Sequence, residues 1–113
     1  MEETYIWYEG GTMCKCRPDI RTDGPKLLVD LKKCVDASDA GFEKAIGNFG
    51  YDIQAAWYLR GARAVLGDDA PESFIFLAQE PAGSYEPAVY EADDDMILDG
   101  TDGIEEAIEI YKN

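Results

Sequence analysis

Leu27-Leu28-Val29-Asp30-Leu31-Lys32 decides how this chain folds. Entered through the turn-forming run Asp23-Gly24-Pro25, this short apolar stretch reads as a buried β-strand. Side chains alternate along a strand that rises about 3.3 Å per residue, so Asp30 and Lys32 leave the same face about 6.6 Å apart. A carboxylate and an ammonium therefore share one small site.

Just upstream, Met13-Cys14-Lys15-Cys16-Arg17 reads as another strand, which Pro18 ends because proline has no N–H to give to a ladder. If it forms a hairpin with the Asp30 strand, Asp19 lies near the start of that strand and two carboxylates face one lysine. Two hard anionic oxygens, with the backbone carbonyl of Leu31, suit Mg²⁺ or Mn²⁺, which take oxygen ligands in octahedral geometry and keep several waters. In such a site the metal polarises a phosphoryl oxygen and acidifies a water, while the lysine orients that water or stabilises developing charge. The chemistry implied is phosphodiester hydrolysis.

Outward from this strand the pattern is regular and contains no internal repeat. Residues 4–8 and 13–17 read as strands joined by the hairpin turn Glu9-Gly10-Gly11-Thr12. After the Asp30 strand, Asp36-Ala37-Ser38-Asp39 supplies N-cap candidates for a short helix carrying Phe42, Ala45, Ile46 and Phe49 at helical spacing. Gly47 and Gly50 predict a break, then a second helix over about 51–66 ended by Gly67. Strands at 73–79 and 88–92, separated by a Pro81-Ala82-Gly83-Ser84 loop, precede a terminal helix over 97–112. The order βββααββα predicts one α/β domain over 1–113, a central mixed β-sheet flanked by helices. Because the Leu28 and Phe74 strands are apolar on both faces, helices are expected to cover the sheet.

On the second helix Gln54 and Tyr58 are four residues apart and share a face, which Tyr51 extends. Read from the helix alone, this is an amphipathic stripe with Tyr51 and Trp57 in the core. The amide of Gln54 needs partners if it is buried.

The set as a whole resembles the PD-(D/E)xK nuclease superfamily, in the branch that holds lambda exonuclease, the RecB-type nuclease domains and RecE (exonuclease VIII). It is most similar to the RecE catalytic domain through Cys16-Arg17-Pro18-Asp19, Val29-Asp30-Leu31-Lys32-Lys33, the helix bearing Tyr51, Gln54, Trp57 and Tyr58, and the strand Phe74-Ile75-Phe76-Leu77-Ala78. The resemblance implies an exodeoxyribonuclease core that degrades linear duplex DNA from free ends, 5′ to 3′, in phage or prophage recombination, as a ring-like homo-oligomer. Asp19, Asp30 and the Leu31 carbonyl would bind the metal and Lys32 would assist the attacking water. Gln54 would complete the catalytic set, and Tyr58, Arg17, Arg21 and Lys33 would contact DNA. Such relatives carry a helical region before the first strand that gives the metal a further acidic or His ligand. This chain begins at the strand, so the expectation includes a missing N-terminal region or a partner protein, with Glu9 or Glu43 as substitutes.

Charge bears on that reading. The 113 residues carry a net charge of −14, and DNA affinity comes largely from Lys and Arg. Residues 1–60 are only at −2 while 61–113 are at −12, so a DNA path belongs to the N-terminal half. The acidic half reads as a solvated surface, or alternatively as a docking face for a basic protein. That second option defines the alternative function: a catalytically incomplete nuclease fold acting as an acidic protein-binding or DNA-mimicking module, a phage-borne inhibitor.

The chain has no His, which excludes any mechanism requiring its own imidazole, and no P-loop or dinucleotide glycine motif. Cys14, Cys16 and Cys34 lack zinc or disulfide-framework spacing and read as reduced thiols. No apolar run approaches the ~20 residues needed to cross a bilayer, and no signal peptide is visible, so the expected location is the cytoplasm.

Overall fold

The computed structural model describes residues 3–22, 24, 26–33, 37–80 and 88–112. Asp23 and Pro25 of the expected turn, Cys34, Asp36 and the expected 81–84 loop lie outside the described residues, as do the side chains of Tyr111 and Lys112.

The first hairpin joins β1 (Tyr5–Glu9) to β2 (Thr12–Cys16). Its turn needs left-handed backbone at both central positions, which Gly10 and Gly11 adopt at φ 56° and 82°. Trp7 pairs with Cys14 and Tyr5 with Cys16, so all four bury one shared face. Both described cysteines are free thiols.

A four-stranded mixed sheet stands apart from this hairpin, in the order β3 (Ile20–Arg21), β4 (Leu27–Lys33), β5 (Ser73–Gln79), β6 (Ala88–Glu91). β4 and β5 are parallel, and the two outer pairings are antiparallel. The expected pairing of the 13–17 strand with the Asp30 strand is therefore corrected. β2 pairs with β1 alone, and the two-residue β3, too short to leave a periodic signal, is the antiparallel neighbour of β4.

Between β4 and β5 run α1 (Asp39–Phe49) and α2 (Tyr51–Leu66). Ser38 caps α1 by accepting from the Gly41 N–H at 3.2 Å. Gly50, at φ 68°, closes α1 and opens α2, so the break falls there and Gly47 stays helical. α3 (Asp94–Lys112) starts three residues earlier than the periodicity predicts, because the Asp93 carboxylate caps it by accepting from the Met96 N–H at 2.8 Å.

Helices α1 and α2 lie on the sheet face that carries Leu28, Asp30, Phe74, Phe76 and Ala78. There Phe42 stacks on Tyr90 at 4.4 Å and packs against Phe76 at 5.5 Å. The opposite face was expected to be covered as well, yet Leu31 is 53% and Val89 64% exposed. The reason lies in α3, which packs along α2 and leaves that face open: Gly100 and Ile104 are buried there. A Cβ at Gly100 would stand 2.1 Å from the Asp52 carbonyl oxygen, so α3 approaches the α2 backbone where only glycine allows it.

Gly100→Ala should therefore destabilise the protein by about 1–3 kcal/mol or more despite alanine's better helix propensity. Gly47→Ala, whose Cβ meets nothing within 4 Å, should stabilise it by about 0.5–1 kcal/mol. Urea unfolding of both variants checks the pair. Equal effects would contradict the close α2–α3 approach.

Candidate metal site beneath helix α2

Alternation along β4 sends Asp30 and Lys32 to the helix-covered face and Leu31 and Lys33 to the other. Asp30 is the buried charged residue of the described core, at 4% exposure, and Lys32 Nζ lies 2.6 Å from its Oδ2. Oδ2 is itself out of contact with solvent, and the Lys32 ammonium is its close charged neighbour among the described residues.

Asp19 reaches the same place by a different route from the one expected. Fully buried Pro18 anchors the chain after β2, and β3 pairs Ile20 with Val29, so the next step back sets Asp19 across from Asp30. β3 does not extend that far along β4, and Asp19 Oδ2 takes the open ladder position by accepting from the Leu31 N–H at 2.8 Å. A strand residue's N–H and C=O leave the same edge, so the Leu31 carbonyl also belongs to the Asp19 side.

Electrostatics follow from burial. Desolvation raises the Asp30 carboxyl from 3.8 to about 6; attraction to Lys32 opposes this, and the neighbouring Asp19 carboxylate adds to it. A cation placed between the two carboxylates would relieve both penalties.

Above the pair, α2 begins with Tyr51, whose ring centroid lies 4.4 Å from Lys32 Nζ. Gln54 follows one turn later, half-buried on the same stripe. Tyr58 sits further along, edge-on to Phe74 at 5.9 Å, on the Leu28 side of Asp30. The sequence stripe had marked Tyr51 as core. It does pack on Phe76 at 5.7 Å, but the same ring also faces the ammonium, a tertiary contact with no sequence signature. Trp57 packs on Trp7 at 4.9 Å and donates from Nε1 to the Lys15 carbonyl at 3.1 Å.

The other basic residues are dispersed. Arg17 is exposed, Arg21 is tied to Glu3 (Nη2–Oε2 3.2 Å), and Lys33 emerges on the face opposite Lys32. Among the substitutes for a further ligand, Glu9 is committed to Arg60 (Nε–Oε2 2.8 Å) and to the Trp7 indole N–H at 2.6 Å. Glu43 lines a cavity between α1 and β6 with Phe42, Tyr90 and Met96.

Two carboxylates, one of them buried, and a peptide carbonyl are hard oxygen donors of the kind Mg²⁺ and Mn²⁺ take. No group of three His, Cys, Asp or Glu side chains able to hold a metal occurs among the described residues. An ion held by these oxygens would keep most of its coordination in water.

A mixed sheet with an Asp-x-Lys pair on its parallel central strand and a second aspartate set opposite is the arrangement of PD-(D/E)xK proteins. The chain belongs to the family described as "PDDEXK-like domain of unknown function (DUF3799)", which matches residues 1–113. Its fold is similar to that of a solved Eubacterium rectale protein described as a "putative exonuclease", with a TM-score of 0.76 at 19% identity. That match covers 95% of this chain and 41% of the Eubacterium protein, so this chain spans under half of that relative. A second solved structure, SSO0001, matches with a TM-score of 0.48 at 20% identity over 90% of this chain and 46% of its own. No curated protein matches. The RecE branch in particular is not singled out by these matches. No described helix is long and apolar enough to cross a membrane.

The raised Asp30 pKa fixes the sign of a pH effect. Because it lies above the unfolded value, its stabilising contribution is complete below the unfolded pKa and is lost as pH rises through about 6. Asp30→Asn should therefore gain stability relative to the native chain between about pH 4 and 8, by about 1–3 kcal/mol. Urea unfolding across that range measures the difference. A difference that does not change with pH would contradict the buried, charge-disfavouring setting of Asp30.

Proposed function

We propose that this domain is the core of a Mg²⁺- or Mn²⁺-dependent exodeoxyribonuclease acting on linear duplex DNA. The observation that carries the reading is the buried Asp30 carboxylate with Lys32 at 2.6 Å and Asp19 beside it.

In this reading Asp19, Asp30 and the Leu31 carbonyl hold the ion. When bound, it supplies Lewis acidity to the scissile phosphate and to the attacking water. Lys32 orients that water and offers positive charge to the phosphoryl oxygens as negative charge builds on them. The Gln54 amide, one turn beyond Tyr51, helps position the reacting phosphate. Arg17 and the exposed part of Tyr58 contact the DNA backbone. Arg21 and Lys33 reach DNA only where a duplex wraps the β3–β4 edge, since one is paired and the other points away.

The family resemblance adds 5′ to 3′ digestion, a ring-like homo-oligomer around the duplex, a phage or prophage recombination setting and a cytoplasmic location. A further metal ligand comes from a longer protein or a partner chain.

A second reading rests on the exposed acidic residues of α3, Asp94, Asp95, Asp99, Asp102, Glu105, Glu106 and Glu109, within the half that carries −12. In it the fold is catalytically incomplete, and the acidic face binds a basic protein or mimics DNA.

The two readings part in one assay. Linear duplex DNA should be digested with Mg²⁺ or Mn²⁺ and spared with a chelator, while a circular duplex persists. Asp30→Ala and Lys32→Ala should each lower the rate by roughly a hundred-fold or more. No digestion by folded protein at any metal concentration contradicts the enzyme and favours the acidic binding module.

A further inference from the structure

A lysine on a strand does not place its ammonium by backbone position alone, because four carbons and their rotatable bonds lie between them. Here two contacts place it: the Asp30 carboxylate at 2.6 Å and the Tyr51 ring at 4.4 Å from its centroid. The ring is itself held from several sides. Phe76 lies 5.7 Å away, nearly parallel at 26°, Phe49 5.8 Å away at 25°, and Phe42 at 5.8 Å. Gly50, in left-handed backbone at φ 68°, turns the chain so that α2 opens with Tyr51 over the sheet. An aromatic face attracts a cation through the negative lobe of its quadrupole, an attraction that strengthens when water is excluded. Lys32 is only 16% exposed, so this contact operates in a partly desolvated setting.

From this geometry we propose that Tyr51 is a positioning residue for Lys32, its ring face holding the ammonium beside Asp30. The kinetic side of this inference rests on Lys32 acting in the nuclease reading above. The contact itself does not. Tyr51 reaches the reacting atoms through Lys32 and needs no hydroxyl to do so. A ring that serves only as core filling depends on its volume, whereas this role depends on the electron density of its face.

The test replaces Tyr51 in the full chain with Phe, with a trifluorinated phenylalanine of nearly equal size whose ring face is electron-poor, and with Leu. The side-chain methylene resonances of Lys32, assigned by their loss in Lys32→Arg, report the ring by its shielding. They should be shifted upfield in the native chain and in Tyr51→Phe, and should move toward ordinary lysine positions in the other two. In Mg²⁺-dependent digestion, Tyr51→Phe should keep kcat within about two-fold. The electron-poor ring and Leu should lower kcat roughly ten-fold with KM for DNA unchanged. The fluorinated variant keeps the test alive if Tyr51→Leu fails to fold.

Unshifted Lys32 resonances in the native chain overturn the inference. So does an unchanged kcat when the fluorinated ring has released the lysine. No digestion by the native chain overturns the nuclease reading and not this contact, which the Lys32 resonances decide by themselves.

Discussion

A carboxylate taken almost wholly out of water, with a lysine ammonium at 2.6 Å, is the constraint on which the rest of this structure depends. Burial of a charge is costly, and one nearby counter-charge rarely recovers the cost in full. The raised Asp30 pKa expresses that imbalance. Beneath α2, this position of β4 would accommodate an apolar side chain with less penalty. The surrounding elements are arranged around the pair: Pro18 delivers Asp19 to the β4 edge, Gly50 turns α2 so that Tyr51 covers Lys32, and β5 supplies Phe76 beneath that ring. The result is a polar pair walled by aromatic rings, with the Asp19 carboxylate at its β3 edge.

The same arrangement separates the protein's charges. Bases concentrate in the half that contains the site, and acids concentrate in α3, which packs on α2. Arg60 bridges the two regions by pairing with both Glu9 and Glu105. The close approach of α3 at Gly100 fixes α2 from behind, and α2 in turn fixes the ring over Lys32. A surface helix with no residue in the site thus bears on its geometry.

Local patterning made much of this legible. The alternation of β4 gave the shared face of Asp30 and Lys32, and the same parity, read one residue further, already sends Lys33 the other way. The limits of α2 and β5 were readable because helical spacing, a terminal Gly67 and an apolar run are local signals. What was not legible depended on distant partners. A two-residue β3 has no period to detect, so β2 looked like the natural neighbour of β4. The start of α3 hung on the single side-chain cap of Asp93, and the open sheet face followed from α3 choosing α2. The Tyr51 contact with Lys32 joins a helix start to a strand end and exists only once both are packed.

Binding of Mn²⁺, followed by electron paramagnetic resonance or calorimetry on the native chain, Asp30→Asn and Asp19→Asn, reads the two carboxylates as metal ligands without requiring turnover. Binding to the native chain should strengthen as pH rises through about 6, when the Asp30 proton leaves, and should be lost in both variants. Binding that survives Asp30→Asn, or a native chain that takes up no Mn²⁺ above that pH, would contradict the proposed metal site.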